Sequence, residues 1–68
     1  MSVFSENLKR MRKENNVSQQ KLAYAVGVTQ QCVSGWEKDS IEPTLSNLCS
    51  LADVFDVSID YLVGRKDY

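Results

Sequence analysis

Apolar residues recur along this chain at helical rather than alternating spacing. Phe4, Leu8 and Met11 stand at i, i+4 and i+7, one face of a helix running from about Val3 to Glu14. Ser18 has the chemistry of an N-cap for a second helix, which turns Leu22, Ala23 and Val26 inward and stops at Gly27. Thr29 caps a third helix with Val33 and Trp36 as its apolar face. Pro43-Thr44 opens a fourth, whose stripe of Leu45, Leu48, Leu51, Ala52 and Phe55 is the strongest in the chain. Ser58 caps a short fifth helix that buries Ile59 and Leu62 and sets Asp60 near its positive end. With Val28, these stripes offer about sixteen apolar side chains to one core. Helices this short are marginal alone and must support one another. The pattern predicts an all-α fold of five helices over residues 1–64, followed by a frayed tail at 65–68.

Composition agrees with that picture and removes several functions. A chain of 68 residues makes one small domain, and 43% apolar with 25% charged residues is globular rather than disordered. One proline and three glycines favour helices over a turn-rich β fold. No apolar run reaches the roughly 18–20 residues that span a bilayer, and MSVFSENLKRMRKEN does not read as a signal peptide, so a cytoplasmic protein without a membrane contact is expected. Histidine is absent, and Cys32 and Cys49 have no CxxC spacing, so neither a metal site nor a disulfide is expected. A Ser-His or Cys-His pair cannot be assembled. The expectation is no enzyme, no catalytic residue and no cofactor, and no pocket for a small-molecule effector is visible.

The net charge of −1 counts at first against nucleic acid, but the charge is unevenly distributed. Residues 1–38 carry Lys9, Arg10, Arg12, Lys13, Lys21 and Lys38 against Glu6, Glu14 and Glu37, a net of +3. Residues 39–68 carry Arg65 and Lys66 against six acids, a net of −4. A dipolar molecule of this kind presents a positive face while staying near neutral.

The positive half contains the pattern with the most functional content. Two helices joined by a turn of about three residues form a candidate helix-turn-helix at 17–38. Ala23 is small where the helices cross, Gly27 leaves the second helix without a Cβ penalty, Val28 and Val33 fill the gap, and Trp36 anchors the far end. Positions 30, 31, 34, 35 and 38 fall on the face opposite Val33 and Trp36.

With SQQKLAYAVGVTQQCVSGWEKD at 18–39 and EPTLSNLCSLADVFDVSIDYLVG at 42–64, the chain resembles the lambda-repressor-like, Cro-type (XRE) helix-turn-helix regulators. The resemblance covers nearly the whole chain. It implies a five-helix DNA-binding domain that acts as a homodimer on a two-fold operator, with the third helix in the major groove of double-stranded DNA. Base contacts then fall to Gln30 and Gln31, with Ser34 and Gly35 a turn further on. A glutamine amide matches adenine N6 and N7 with two hydrogen bonds. Gln19 matches a phosphate-binding position at a helix N-terminus, with Ser18 beside it. Lys38, Lys9, Lys13, Arg10 and Lys21 are further candidates for phosphate. Arg12 and Glu37 match a partly buried ion pair, with Arg12 also in reach of phosphate. Val57, Tyr61 and Val63 are the candidates for a dimer interface.

Some positions depart from the family pattern. The loop after the third helix reads KDSIEP, acidic where basic residues are common, and Lys21 removes a capping box. Gly35 costs about 1 kcal/mol against alanine within a helix and has either a groove-approach role or none. Cys32 is read as a small packing residue and Cys49 as core or core edge. Repression of transcription is the leading expectation. The alternatives are an antitoxin or phage-switch component that binds both DNA and a protein, and an interaction module on this fold that has lost DNA binding. The acidic loop favours the last.

Overall fold

The computed structural model describes residues 2–67, and Tyr68, the last residue of the expected tail, lies outside them. Five helices follow in order: α1 Val3–Glu14, α2 Gln19–Val26, α3 Gln30–Glu37, α4 Leu45–Phe55 and α5 Ile59–Leu62. The architecture is all-α, with no strand among the described residues.

Each helix starts and stops by the same local chemistry. Ser2, Ser18, Thr29, Thr44 and Ser58 are N-caps, and each hydroxyl accepts from the backbone N–H three residues on. Such a cap contributes about 1 kcal/mol by satisfying an amide that the helix leaves unpaired. Past each last turn comes a left-handed residue: Asn16, Gly27, Asp39, Asp56 and Gly64, with φ from 54° to 84°. The next residue sends its N–H back to a carbonyl five positions earlier, as in Val17 to Arg12, Val28 to Ala23, Ser40 to Gly35, Val57 to Ala52 and Arg65 to Asp60. This is the Schellman closure. At Gly27 an added Cβ would meet nothing within 4 Å, so glycine is needed there for its backbone angle and not for space.

The core is narrower than the sequence predicts. Leu8, Met11, Leu22, Ala23, Val33, Trp36, Leu51, Ala52 and Leu62 are buried. Phe4, Val26, Val28, Leu48 and Phe55 are half-buried against them. Leu45 corrects the expected stripe: it opens α4 at the edge of the bundle and is 72% exposed. Cys49 is likewise exposed, while Cys32 packs against the core as expected; both are free thiols. The expected tail is held for its first two residues, because the amides of Arg65 and Lys66 both donate to the Asp60 carbonyl. α5 is tied to α1 by Asn7, whose side-chain amide donates to the carbonyls of Tyr61 and Leu62. No helix among the described residues is long and apolar enough to cross a membrane.

Candidate nucleic-acid interface

α2, the turn at 27–29 and α3 pack together, with α1 against α3 and α4 against α2. Val33 and Trp36 face inward and are fully buried, which fixes the rotation of α3 about its axis. Gln30, Gln31 and Lys38 remain exposed, and Ser34 is half-buried between them. Positions 30, 34 and 38 stack at helical repeat, so the outer face is a polar stripe along the whole length of α3.

The back of this stripe is locked by a polar node joining three helices. Arg12 Nε donates to Glu37 Oε2 at 2.6 Å and Arg12 Nη2 to Glu37 Oε1 at 3.1 Å, a two-pronged pair. Gln19 Nε2 donates to the same Oε1 at 3.0 Å, and Arg12 Nη1 to the Val17 carbonyl at 3.0 Å. Glu37 is only 4% exposed and Arg12 12%. Burial pushes the Glu37 carboxyl up, but hydrogen bonds from Arg12 and Gln19, with the charges of Arg12 and Lys9, bring it below the usual carboxylate value. The hydrogen bond to Glu37 raises Arg12 in turn.

Several expected roles change in this setting. Arg12 forms the expected pair, but three of its donors serve Glu37 and Val17, and its side chain lies within the node rather than among the cations reaching outward. Gln19 keeps its place at the start of α2 with one amide hydrogen committed to Glu37 and the second uncommitted by that bond. Ser18 serves as the α2 cap, accepting from the Lys21 amide at 3.0 Å. Lys9 lies on the Arg12 side of α1, with Lys13 one turn further, and both are exposed. Arg10 points to α5 instead, where its Nη2 donates to the Tyr61 hydroxyl at 2.7 Å.

Gly35 is a correction. It is buried beneath Ile41, and a Cβ built there would lie 2.5 Å from Ile41 Cδ1 and 2.6 Å from Cγ1. The missing side chain therefore admits the returning loop and not a groove floor. Its carbonyl accepts from the amides of Ser40 and Ile41. The loop amides of Lys38 and Asp39 go to Ser34 and Trp36, so the four amides at 38–41 are all committed within the chain.

Asp39 is the residue that sequence reasoning misread. Its carboxylate accepts from the Ser2 amide and the Ser2 hydroxyl, each at 2.7 Å, and from the Ser5 hydroxyl at 3.3 Å. The Ser2 hydroxyl and amide hold it below the usual carboxylate value. Of the two acids that favoured an interaction module, Asp39 is thus committed to α1, and Glu42 stands exposed. The missed signal is an aspartate directly after a helix end, a position that favours a left-handed Asn or Asp.

For the dimer candidates, Val57, Tyr61 and Val63 are each half-buried, and Val57 and Tyr61 also pack on the core. They do not form one exposed patch: Val57 and Tyr61 line a shallow depression with Met11, Phe55 and Ser58, while Val63 lines another with Phe4, Ile41 and Leu48.

A family model described as helix-turn-helix matches residues 8–62. The HTH-type transcriptional regulator YqaE of Bacillus subtilis is 39% identical over 61 residues, covering 90% of this chain and 53% of that protein. The chain spans about half the length of the first curated relatives it matches. The P22 c2 repressor, solved in complex with a synthetic operator, superposes with a TM-score of 0.88 at 30% identity, covering 97% of this chain and all of that one. Hydroxypropylphosphonic acid epoxidase from S. wedmorenis contains a similar unit, with a TM-score of 0.82 and 33% identity over 91% of this chain but only 33% of the enzyme. The fold alone therefore does not decide what such a unit does; the surface of α3 carries that question. By matched length, helix order and turn geometry, the chain belongs to the lambda-repressor-like (XRE-type) helix-turn-helix family.

Proposed function

We propose that this chain is a sequence-specific double-stranded-DNA-binding transcriptional regulator, a repressor, that inserts α3 into the major groove as half of a homodimer. One observation carries the reading. α3 is divided lengthwise into a locked inner side, Val33, Trp36 and Glu37, and an open polar side, Gln30, Gln31, Ser34 and Lys38. A helix held this firmly by its back presents its outer side chains in fixed register, which base reading requires.

In this reading Gln30 and Gln31 read base edges, each bidentate contact to adenine worth about 1–3 kcal/mol of discrimination, with Ser34 one turn behind. Lys38, Lys9 and Lys13 neutralise phosphates, and Gln19 and Ser18 approach them from the start of α2. Similarity to a repressor solved on its operator supports the same assignment. The molecule measures 28 × 22 × 22 Å, less than the spacing of about 34 Å between half-sites one turn apart. Two copies are therefore needed, with Val57, Tyr61 and Val63, spread over two depressions, as the residues offered for pairing. The reading assigns no catalytic step, cofactor or effector, and places the protein in the cytoplasm.

The experiment is selection of bound duplexes from a random pool at two salt concentrations. A two-fold motif, with affinity falling as salt rises, supports the proposal. No enrichment at low salt overturns it.

A further inference from the structure

We infer that Asp39, whose charge by itself opposes DNA, is a positioning residue for base reading, because its carboxylate ties the end of α3 to the start of α1. The inference rests on the proposed DNA-binding function, and its test separates the two.

The tie has three parts. The left-handed conformation of Asp39 turns the chain off α3 and aims its carboxylate across to α1. There it meets the Ser2 amide and hydroxyl and the Ser5 hydroxyl, at the end of α1 where the helix dipole is positive. Ser2 is itself the α1 cap, its oxygen accepting from the Ser5 amide at 3.1 Å. One carboxylate thus completes the start of α1 and the finish of α3 together.

Its mechanical effect follows from where the anchors lie. Arg12–Glu37 pins the last turn of α3 to the far end of α1. Asp39–Ser2 pins the next residues to its beginning, about 15 Å away at helical rise. Val33 and Trp36 hold the inner side of α3, and whatever tilt a single pin at its end still allows moves the opposite end most, where Gln30 and Gln31 stand. A second pin, set on the other end of α1, reduces that tilt. Lys38, between them in sequence, is steadied as well.

Electrostatics alone makes the contrary prediction: removing an acid near phosphate strengthens binding to every sequence, by about twofold for an exposed charge at physiological salt. The test compares Asp39→Gly, which keeps the left-handed backbone and removes the carboxylate, with Asp39→Asn and Glu42→Gln. Each is measured against the selected duplex and a scrambled one, well below its unfolding midpoint. We expect Glu42→Gln to raise both affinities equally. Asp39→Gly should lower the specific-to-scrambled ratio by about tenfold, the loss of one well-placed base contact, without weakening scrambled binding. Asp39→Asn, which retains a side-chain acceptor and tolerates the left-handed angle, should restore most of the ratio. Asp39→Gly behaving as Glu42→Gln does, with the ratio unchanged, overturns the inference.

A DNA-free measurement keeps the two proposals apart. In free protein, Asp39→Gly should shift or broaden the backbone amide resonances of 30–38, and Glu42→Gln should not. Unaltered α3 resonances overturn the tie even if wild type selects no sequence. Failed selection with altered resonances overturns DNA reading and leaves the tie standing.

Discussion

A carboxylate as enclosed as Glu37 stays ionised only because Arg12 and Gln19 occupy its oxygens. Its folded-state titration is displaced downward, so its contribution to stability is fully present above the ordinary carboxylate range and is lost as pH falls through the lower folded value. Asp39 is displaced in the same direction. The thermal midpoint should therefore be nearly level from neutral pH to about pH 5 and fall below about pH 4, followed by circular dichroism. Glu37→Gln leaves Arg12 with a neutral partner and should cost about 3 kcal/mol at neutral pH, or about 15 °C of midpoint, with a shallower acid limb. A midpoint unchanged by this substitution would mean that the node is not a tie. Arg12 and Glu37 were legible in the sequence through their family positions beside core residues Met11 and Trp36. The third member, Gln19, was not, because a glutamine at a helix start carries no mark of which neighbour its amide will face.

Helix boundaries were the most legible feature at the scale of elements. The hydroxyl caps and the apolar stripes name the beginnings and inner faces almost residue by residue. Ends were harder: Gly27 announces itself, whereas Asn16, Asp39 and Asp56 read as ordinary polar residues until their left-handed angles are seen. The loop after α3 was least legible, because Ile41 over Gly35 is a contact between a helix and the segment returning past it. That contact reverses the usual sign of a glycine replacement. Alanine in a helix gains about 1 kcal/mol over glycine, but overpacking against Ile41 costs about 1–3 kcal/mol. Gly35→Ala should therefore destabilise by about 1 kcal/mol in urea unfolding. In an Ile41→Ala background the same change should be neutral or stabilising, by up to about 1 kcal/mol. Equal effects in both backgrounds would refute the packing explanation.

Over the whole molecule, the charge division noted in the sequence acquires a geometry. The cations Lys9, Lys13 and Lys38 belong to the α1 and α3 surface, while acids are concentrated after residue 38. Two protomers would bring about six such lysines to phosphate, so the logarithm of the binding constant should fall against that of salt with a slope of about −5. Lys38→Ala should flatten the slope by about 2 in a dimer and weaken all sequences alike. Gln30→Ala should leave the slope intact and relax one base position per half-site. The fold class and the polar outer face of α3 were legible because both are helical periodicities; the surroundings of Val57, Tyr61 and Val63 were not, since these residues are shared between two depressions and the core. Trp36 adds one practical consequence. It is the sole tryptophan, 1% exposed, and sits on the inner side of α3. Its emission should be blue-shifted in the native protein and move to the red on unfolding, yet respond little to a nucleic acid laid against the opposite side. The chain thus carries a built-in optical gauge of whether α3 is seated, largely blind to what lies against its outer face.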